Sequence, residues 1–177
     1  ATIMTESTEL EAERRLTIPR RGVRAVGEDE ASRADYELIQ VIGRGGEGVV
    51  HAARQTSIDR TVALKMSHRP TVSDVHSKNK FLSEAVITGA LEHPNIVPVY
   101  ELGTTNDGTA FYAMKRIEGT PWSDVIKKNS LAENLSILMR TADAVAMAHA
   151  RGVVHRDLKP ENVMLGEFGE VMLNDWG

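Results

Sequence analysis

The chain has 177 residues, 41% of them hydrophobic and 26% charged, which suits a soluble globular protein of one ordinary domain or one small domain plus a tail. Its formal charge of −4 gives no basic face for nucleic acid, and the absence of cysteine excludes disulfides and thiolate metal sites. No apolar run approaches the ~18 residues that a bilayer span requires.

Residues 1–34 contain no aromatic side chain and mix acids such as Glu9 and Glu28 with arginines such as Arg14 and Arg21. So little apolar surface does not offset the entropy of ordering a chain, and a mobile charged tail is expected over 1–34. Thr17 to Arg21, a threonine beside a basic pair, reads as solvated linker more readily than as a docking or phosphorylation site.

At Tyr36 the character changes. Tyr36 to Ile42 is apolar and β-branched enough for a strand, and glycines follow at once. Val49 to Arg54 and Arg60 to Met66 predict two more strands around an Ile58-Asp59-Arg60 turn. A helical pattern covers Lys78 to Leu91. Ile96 to Leu102 and Thr109 to Met114 predict a hairpin around Asn106-Asp107-Gly108. Thr120-Pro121 reads as a helix cap followed by a first-turn proline.

A long helix is predicted over Leu131 to Ala150, opened by a Ser130/Glu133 capping box. Leu131, Leu135, Leu138, Ala142, Val145 and His149 recur at helical spacing, and this stripe is expected to be buried. Two short strands follow, Asn162 to Leu165 and Glu170 to Leu173, around a turn at Gly166 to Gly169. Strands come first and helices later, so the fold class is α+β with two unlike halves.

Three segments carry chemistry. Gly43-Arg44-Gly45-Gly46-Glu47-Gly48 lets backbone approach phosphate oxygens and offer N–H groups to them. A dinucleotide-binding reading needs a helix straight after the glycines, but Val49-Val50-His51-Ala52 continues as strand, so the loop is a flap between two strands. Lys65 then ends the apolar run Val62-Ala63-Leu64. On the following helix Glu84 shares a stripe with Phe81, Ala85, Thr88 and Leu91. It is either an exposed helix residue or, if buried, in need of a cation, for which Lys65 is the nearest sensible candidate.

The third segment is His155-Arg156-Asp157-Leu158-Lys159-Pro160-Glu161-Asn162, with Asp175-Trp176-Gly177 after the next hairpin. Asp157, Asn162 and Asp175 would crowd the mouth of that hairpin with hard oxygen donors. Such donors suit magnesium, which also binds phosphate, and a carboxylate there can receive a hydroxyl proton.

This order of motifs resembles the eukaryotic-like serine/threonine protein kinases, and the wording of Phe81-Leu82-Ser83-Glu84-Ala85, Leu91-Glu92-His93-Pro94-Asn95-Ile96-Val97 and Ala148 to His155 is similar to their bacterial branch. The resemblance runs from Tyr36 to Gly177. It implies a protein-kinase-like fold: a small antiparallel sheet lobe with one regulatory helix, then the first helices and catalytic loop of a large helical lobe. The lobe boundaries would be 35–118, including the hinge, and 119–177.

The resemblance further implies ATP and Mg2+ as cofactors and a protein serine or threonine hydroxyl as acceptor. Lys65 would hold the α- and β-phosphates, with Glu84 holding Lys65. Asp157 would be the base, Lys159 would reach the transferred phosphate, and Asn162 and Asp175 would bind magnesium. Ile42, Gly43, Gly45, Gly46, Gly48, Val50 and Ala63 would line the nucleotide, with Met114 behind the adenine and Lys115 to Ile117 along its edge. A cytoplasmic location goes with this reading.

Two departures stand out. Trp176 occupies the place of a phenylalanine, and Glu47 sits at the loop tip where an apolar residue is usual. A carboxylate there would repel triphosphate and weaken nucleotide binding unless it points to solvent. The resemblance stops at Gly177, so the large lobe is expected to be incomplete and its exposed apolar surface prone to self-association. The alternative to a kinase is a catalytically silent nucleotide-binding or interaction module.

Overall fold

Alternating apolar residues across the first two-thirds of the chain build one sheet. In the computed structural model, which describes residues 17–25, 34–70 and 75–176, this sheet comprises β1 (Val23–Ala25), β2 (Tyr36–Arg44), β3 (Gly48–Gln55), β4 (Arg60–Pro70), β5 (Val99–Thr104) and β6 (Thr109–Lys115). Their order is β1-β2-β3-β4-β6-β5, antiparallel apart from the parallel β1–β2 edge.

Pairing register decides which side chains share a face. Val50 lies opposite Lys65, which lies opposite Tyr112, and Ala52, Ala63 and Met114 line up one step along. Because side chains alternate with period two, these six residues occupy the same face. Helix α1 (Val75–Ala90) covers part of that face, packing Phe81, Leu82 and Ala85 against Ala110 and Tyr112. The opposite face buries Tyr36, Ala53, Val62, Leu64, Phe111 and Ala113. Both faces of β4 and β6 are therefore buried, which explains their near-continuous apolar sequence.

The chain divides into two compact units. One holds the residues up to Ala85 together with Val99–Arg116; the other holds Val86–Pro98 and the chain from Ile117 onward. The second unit contains β7 (Gly119–Pro121), the short helix α2 (Trp122–Val125), α3 (Leu131–Ala150), a 3-10 turn (Pro160–Asn162), β8 (Val163–Gly166) and β9 (Val171–Leu173). Strands β7, β8 and β9 form an antiparallel sheet. Its core gathers Leu91, Ile96, Trp122, Ile137, Ala144, Ala148, Val163, Val171, Leu173 and Trp176.

Four expectations change. The mobile tail fails for residues 17–25: Val23–Ala25 pair with β2, Arg21 donates to Glu101 at 2.7 Å, and Arg24 pairs with Glu37. These partners lie 13 to 80 positions away, beyond any local pattern. The rest of the expected tail, 1–16 and 26–33, lies outside the described residues. Thr120 is not a helix cap but a β7 residue opposite Leu165, and Pro121 precedes α2 without a side-chain cap. The predicted Ile96–Leu102 strand starts only at Val99, while Ile96 bridges Leu173 of the second unit. Pro98 between them lacks the N–H that a ladder needs.

The fourth change concerns α3. Its capping box is present, but the buried residues are Ile137, Thr141, Ala144 and Ala148. Leu131, Leu135, Leu138, Ala142 and His149 of the expected stripe are exposed, and Val145 is half-buried. Periodicity reveals an apolar face but not which of two faces the neighbouring strands cover.

Candidate functional site

In the first unit the site is built around one buried ion pair. Lys65, on the α1 side of β4, is 7% exposed, and its Nζ lies 2.7 and 2.9 Å from Glu84 Oε1 and Oε2. Glu84 is 3% exposed, and Tyr112 Oη donates to its Oε1 at 2.8 Å. Burial pushes the Glu84 carboxyl up to about 7, against the opposing pull of Lys65. The open question about Glu84 resolves to the buried alternative.

The glycine loop bends between β2 and β3, with Gly45 N–H donating to the Gly48 carbonyl at 3.0 Å. A Cβ at Gly48 would lie 2.2 Å from the Met66 carbonyl oxygen, so β4 itself forbids a side chain there. A Cβ at Gly45 or Gly46 would meet nothing within 4 Å. The fold does not demand glycine at those two positions, whereas a ligand approaching the backbone would. Of the other residues expected to line a nucleotide, Val50, Ala63 and Met114 share the face of Lys65, and Ala63 is buried. Ile42 is exposed, Gly43 lies opposite Val50, and Lys115 ends β6 opposite Val62.

Glu47 does not point to solvent. Its Oε1 lies 2.7 Å from Lys80 Nζ and its Oε2 lies 3.8 Å from Lys65 Nζ. Burial works to raise its carboxyl, but bonding with Glu84 and Lys80 and the charge of Lys65 together hold it below the usual range. The cations overcome the expected solvation of the loop tip. Sequence reasoning missed Lys80 and Tyr112. Lys80 stands four residues before Glu84, hence on the same helical face, and Tyr112 lies directly across from Lys65.

In the second unit the loop 155–162 is tied to the end of β9. His155 is 2% exposed, with Nε2 2.8 Å from the Asn174 carbonyl oxygen and its ring 4.7 Å from that of the fully buried Trp176. Burial lowers its pKa and so favours the neutral ring. Asn174 N–H donates to the Asn162 carbonyl at 2.9 Å, joining the two segments.

Asn162 is buried, and its Nδ2 donates to the Asp157 carbonyl at 2.8 Å and to Asp157 Oδ2 at 3.3 Å. Asp157 Oδ2 also lies 2.7 Å from Lys159 Nζ, whose hydrogen bond holds the Asp157 carboxyl below the ordinary range. Arg156 and Asp175 both adopt positive φ, 65° and 56°. Left-handed backbone at non-glycine residues costs about 1–3 kcal/mol each and collects at functional loops. With Nδ2 committed to Asp157, the Asn162 amide oxygen is left as its acceptor, the donor type a hard cation takes. Among the described residues no group of three His, Cys, Asp or Glu is placed to hold a metal alone. Ile117, half-buried, opens the segment that leads to β7.

The protein kinase domain pattern matches residues 36–177. The chain belongs to the protein kinase family. It is 38% identical over 157 residues to the serine/threonine-protein kinase PknD of Protochlamydia amoebophila, covering 80% of this chain and 16% of that protein. To the PknD of Chlamydia trachomatis serovar L2b it is 40% identical over 157 residues, covering 80% and 17%. It is therefore a kinase chain of the bacterial serine/threonine type.

Among solved structures, the Mycobacterium tuberculosis PknI kinase domain superposes with a TM-score of 0.68 at 26% identity, covering 82% of this chain and 61% of that one. A second crystal structure of the same domain gives 0.67, also at 26% identity, covering 81% and 58%. The kinase-like α+β fold is thereby established. The kinase chain spans about a sixth of the curated relatives' length and about three-fifths of the solved domain. No described helix is long and apolar enough to cross a membrane.

Proposed function

We propose that this chain carries the nucleotide-handling and catalytic-loop residues of an ATP-dependent kinase that phosphorylates serine or threonine hydroxyls of proteins. The observation that carries this reading is the buried Lys65–Glu84 pair, a cation fixed by both carboxylate oxygens on the strand face beside the glycine loop. A lysine held this way is ready for phosphate oxygens and costs nothing further to orient.

In this reading residues 35–118 are the nucleotide-binding lobe with its hinge, and 119–177 begin the helical lobe. Gly43, Gly45, Gly46 and Gly48 bring backbone N–H groups to the phosphates. Ile42, Val50, Ala63 and Met114 enclose the adenine, and Lys115 and Ile117 meet its polar edge through their backbone.

Asn162 and Asp175 would hold Mg2+, an ion that needs only one or two protein oxygen ligands. When bound, magnesium neutralises the charge that develops on the phosphate oxygens. As the acceptor hydroxyl bonds to the γ-phosphorus and the bridging P–O bond breaks, Asp157 receives the hydroxyl proton and Lys159 steadies the transferred phosphoryl group. Asp157 is ionised at neutral pH, and its Oδ2 already sits 2.7 Å from Lys159 Nζ, so base and phosphoryl-steadying cation are side by side. A cytoplasmic site of action follows from ATP dependence, and the exposed Leu131, Leu135, Leu138 and Met139 face of α3 gives the chain a surface for self-association.

Thermal melting with Mg·ATP tests the nucleotide part. At ~100 times its dissociation constant the ligand should add about 2.7 kcal/mol. That rise should require magnesium and disappear in K65M and D175A. A cooperative melt that ATP does not move would contradict the reading.

A further inference from the structure

We propose that Glu47 is a built-in competitor for the phosphate position at Lys65, and that Lys80 is the seat to which it withdraws when phosphate binds. The inference rests on the nucleotide reading above and adds a determinant of affinity to it.

The loop-tip carboxylate spans two cations, 2.7 Å from Lys80 and 3.8 Å from Lys65. Lys65 is already bidentate on Glu84. Glu47 and Glu84 together set two carboxyl groups against the two ammonium ions, so an incoming polyphosphate meets cations that are already engaged. A phosphate oxygen taking up Lys65 must displace Glu47 from it, because two anions brought to one ammonium repel each other.

The displacement has somewhere to go. Lys80 is 58% exposed in its side chain and sits one helical turn before Glu84, so Glu47 keeps its short bond to Lys80 while giving up Lys65 and its bond with Glu84. A Cβ at Gly45 or Gly46 would meet nothing within 4 Å, so there is space around the loop tip, although Gly45 itself is held by its N–H on the Gly48 carbonyl and by His68 on its own carbonyl. Bonding to Glu47 raises the Lys80 pKa, as a persistent pair would.

The test is calorimetric titration of Mg·ATP and, separately, of adenosine into the wild-type chain, E47Q, K80Q and the double variant, each with its ligand-free melt. E47Q should bind Mg·ATP roughly two- to five-fold tighter, the size of a partly exposed ion pair, and bind adenosine unchanged. K80Q should weaken Mg·ATP binding when Glu47 is present and do so less in the E47Q background. E47A guards against an effect peculiar to glutamine and should shift affinity in the same direction. Adenosine binding by all variants, with Mg·ATP no tighter in E47Q, would overturn the proposal and leave the nucleotide reading standing. Binding of neither ligand by a well-folded wild-type chain would overturn both.

Discussion

Lys65 and Glu84, nineteen positions apart, meet at 2.7 and 2.9 Å with almost no exposure to water. Such a pair is weak evidence for stability, since desolvating two charges offsets most of their attraction, but removing one partner is costly. K65M should lower unfolding free energy by about 3 kcal/mol. The loss should be larger at pH 8 than at pH 5, where a protonated Glu84 is neutral and keeps its bond with Tyr112. Urea unfolding at the two pH values checks this, and equal losses would count against it.

Glu84 also gives the fold a pH dependence of definite sign. Its folded pKa is about 7 against an ordinary 4.5, so the folded chain holds that proton more tightly than the unfolded one. The contribution is fully present below about pH 4.5 and is lost as pH rises through 7. Relative to E84Q, the wild type should therefore lose stability between those values. Paired Tm measurements across that range would reveal the opposite trend if Lys65 kept Glu84 ionised throughout.

Asp157 should separate chemistry from binding. D157N is expected to cut phosphoryl transfer by about 10²–10⁴-fold, the usual worth of a general base. The melting rise with Mg·ATP should survive, because Asn162 and Asp175 remain. Loss of the melting shift along with the activity would assign Asp157 to the metal instead.

The α3 cap offers a purely structural check. Glu133 N–H donates to Ser130 Oγ at 3.3 Å, and Ser130 N–H donates to Glu133 Oε2 at 2.7 Å. S130A should cost about 1 kcal/mol by chemical denaturation and leave nucleotide affinity unchanged.

Much of this was legible in the sequence. The glycine loop, Lys65 and the Asp157–Asn162 segment announce themselves by order and spacing, whereas spacing alone left Glu84 open between an exposed helix residue and a buried partner of Lys65. The capping box was readable because both partners lie within one helical turn. Long-range pairings were not. Arg21 finds Glu101, Arg24 finds Glu37, and Glu47 finds Lys80 only once strands and helix are assembled. The face of α3 was misjudged for a related reason: two apolar faces fit its periodicity, and β8 and β9 cover the one bearing Ile137, Ala144 and Ala148.

The central claim, phosphoryl transfer to serine or threonine, is tested most directly by incubating the protein with Mg2+, γ-labelled ATP and a protein acceptor, followed by phosphoamino-acid analysis. Label on serine or threonine, absent with K65M and D157N, is the predicted result. No transfer, label on tyrosine alone, or transfer undiminished in D157N would contradict it.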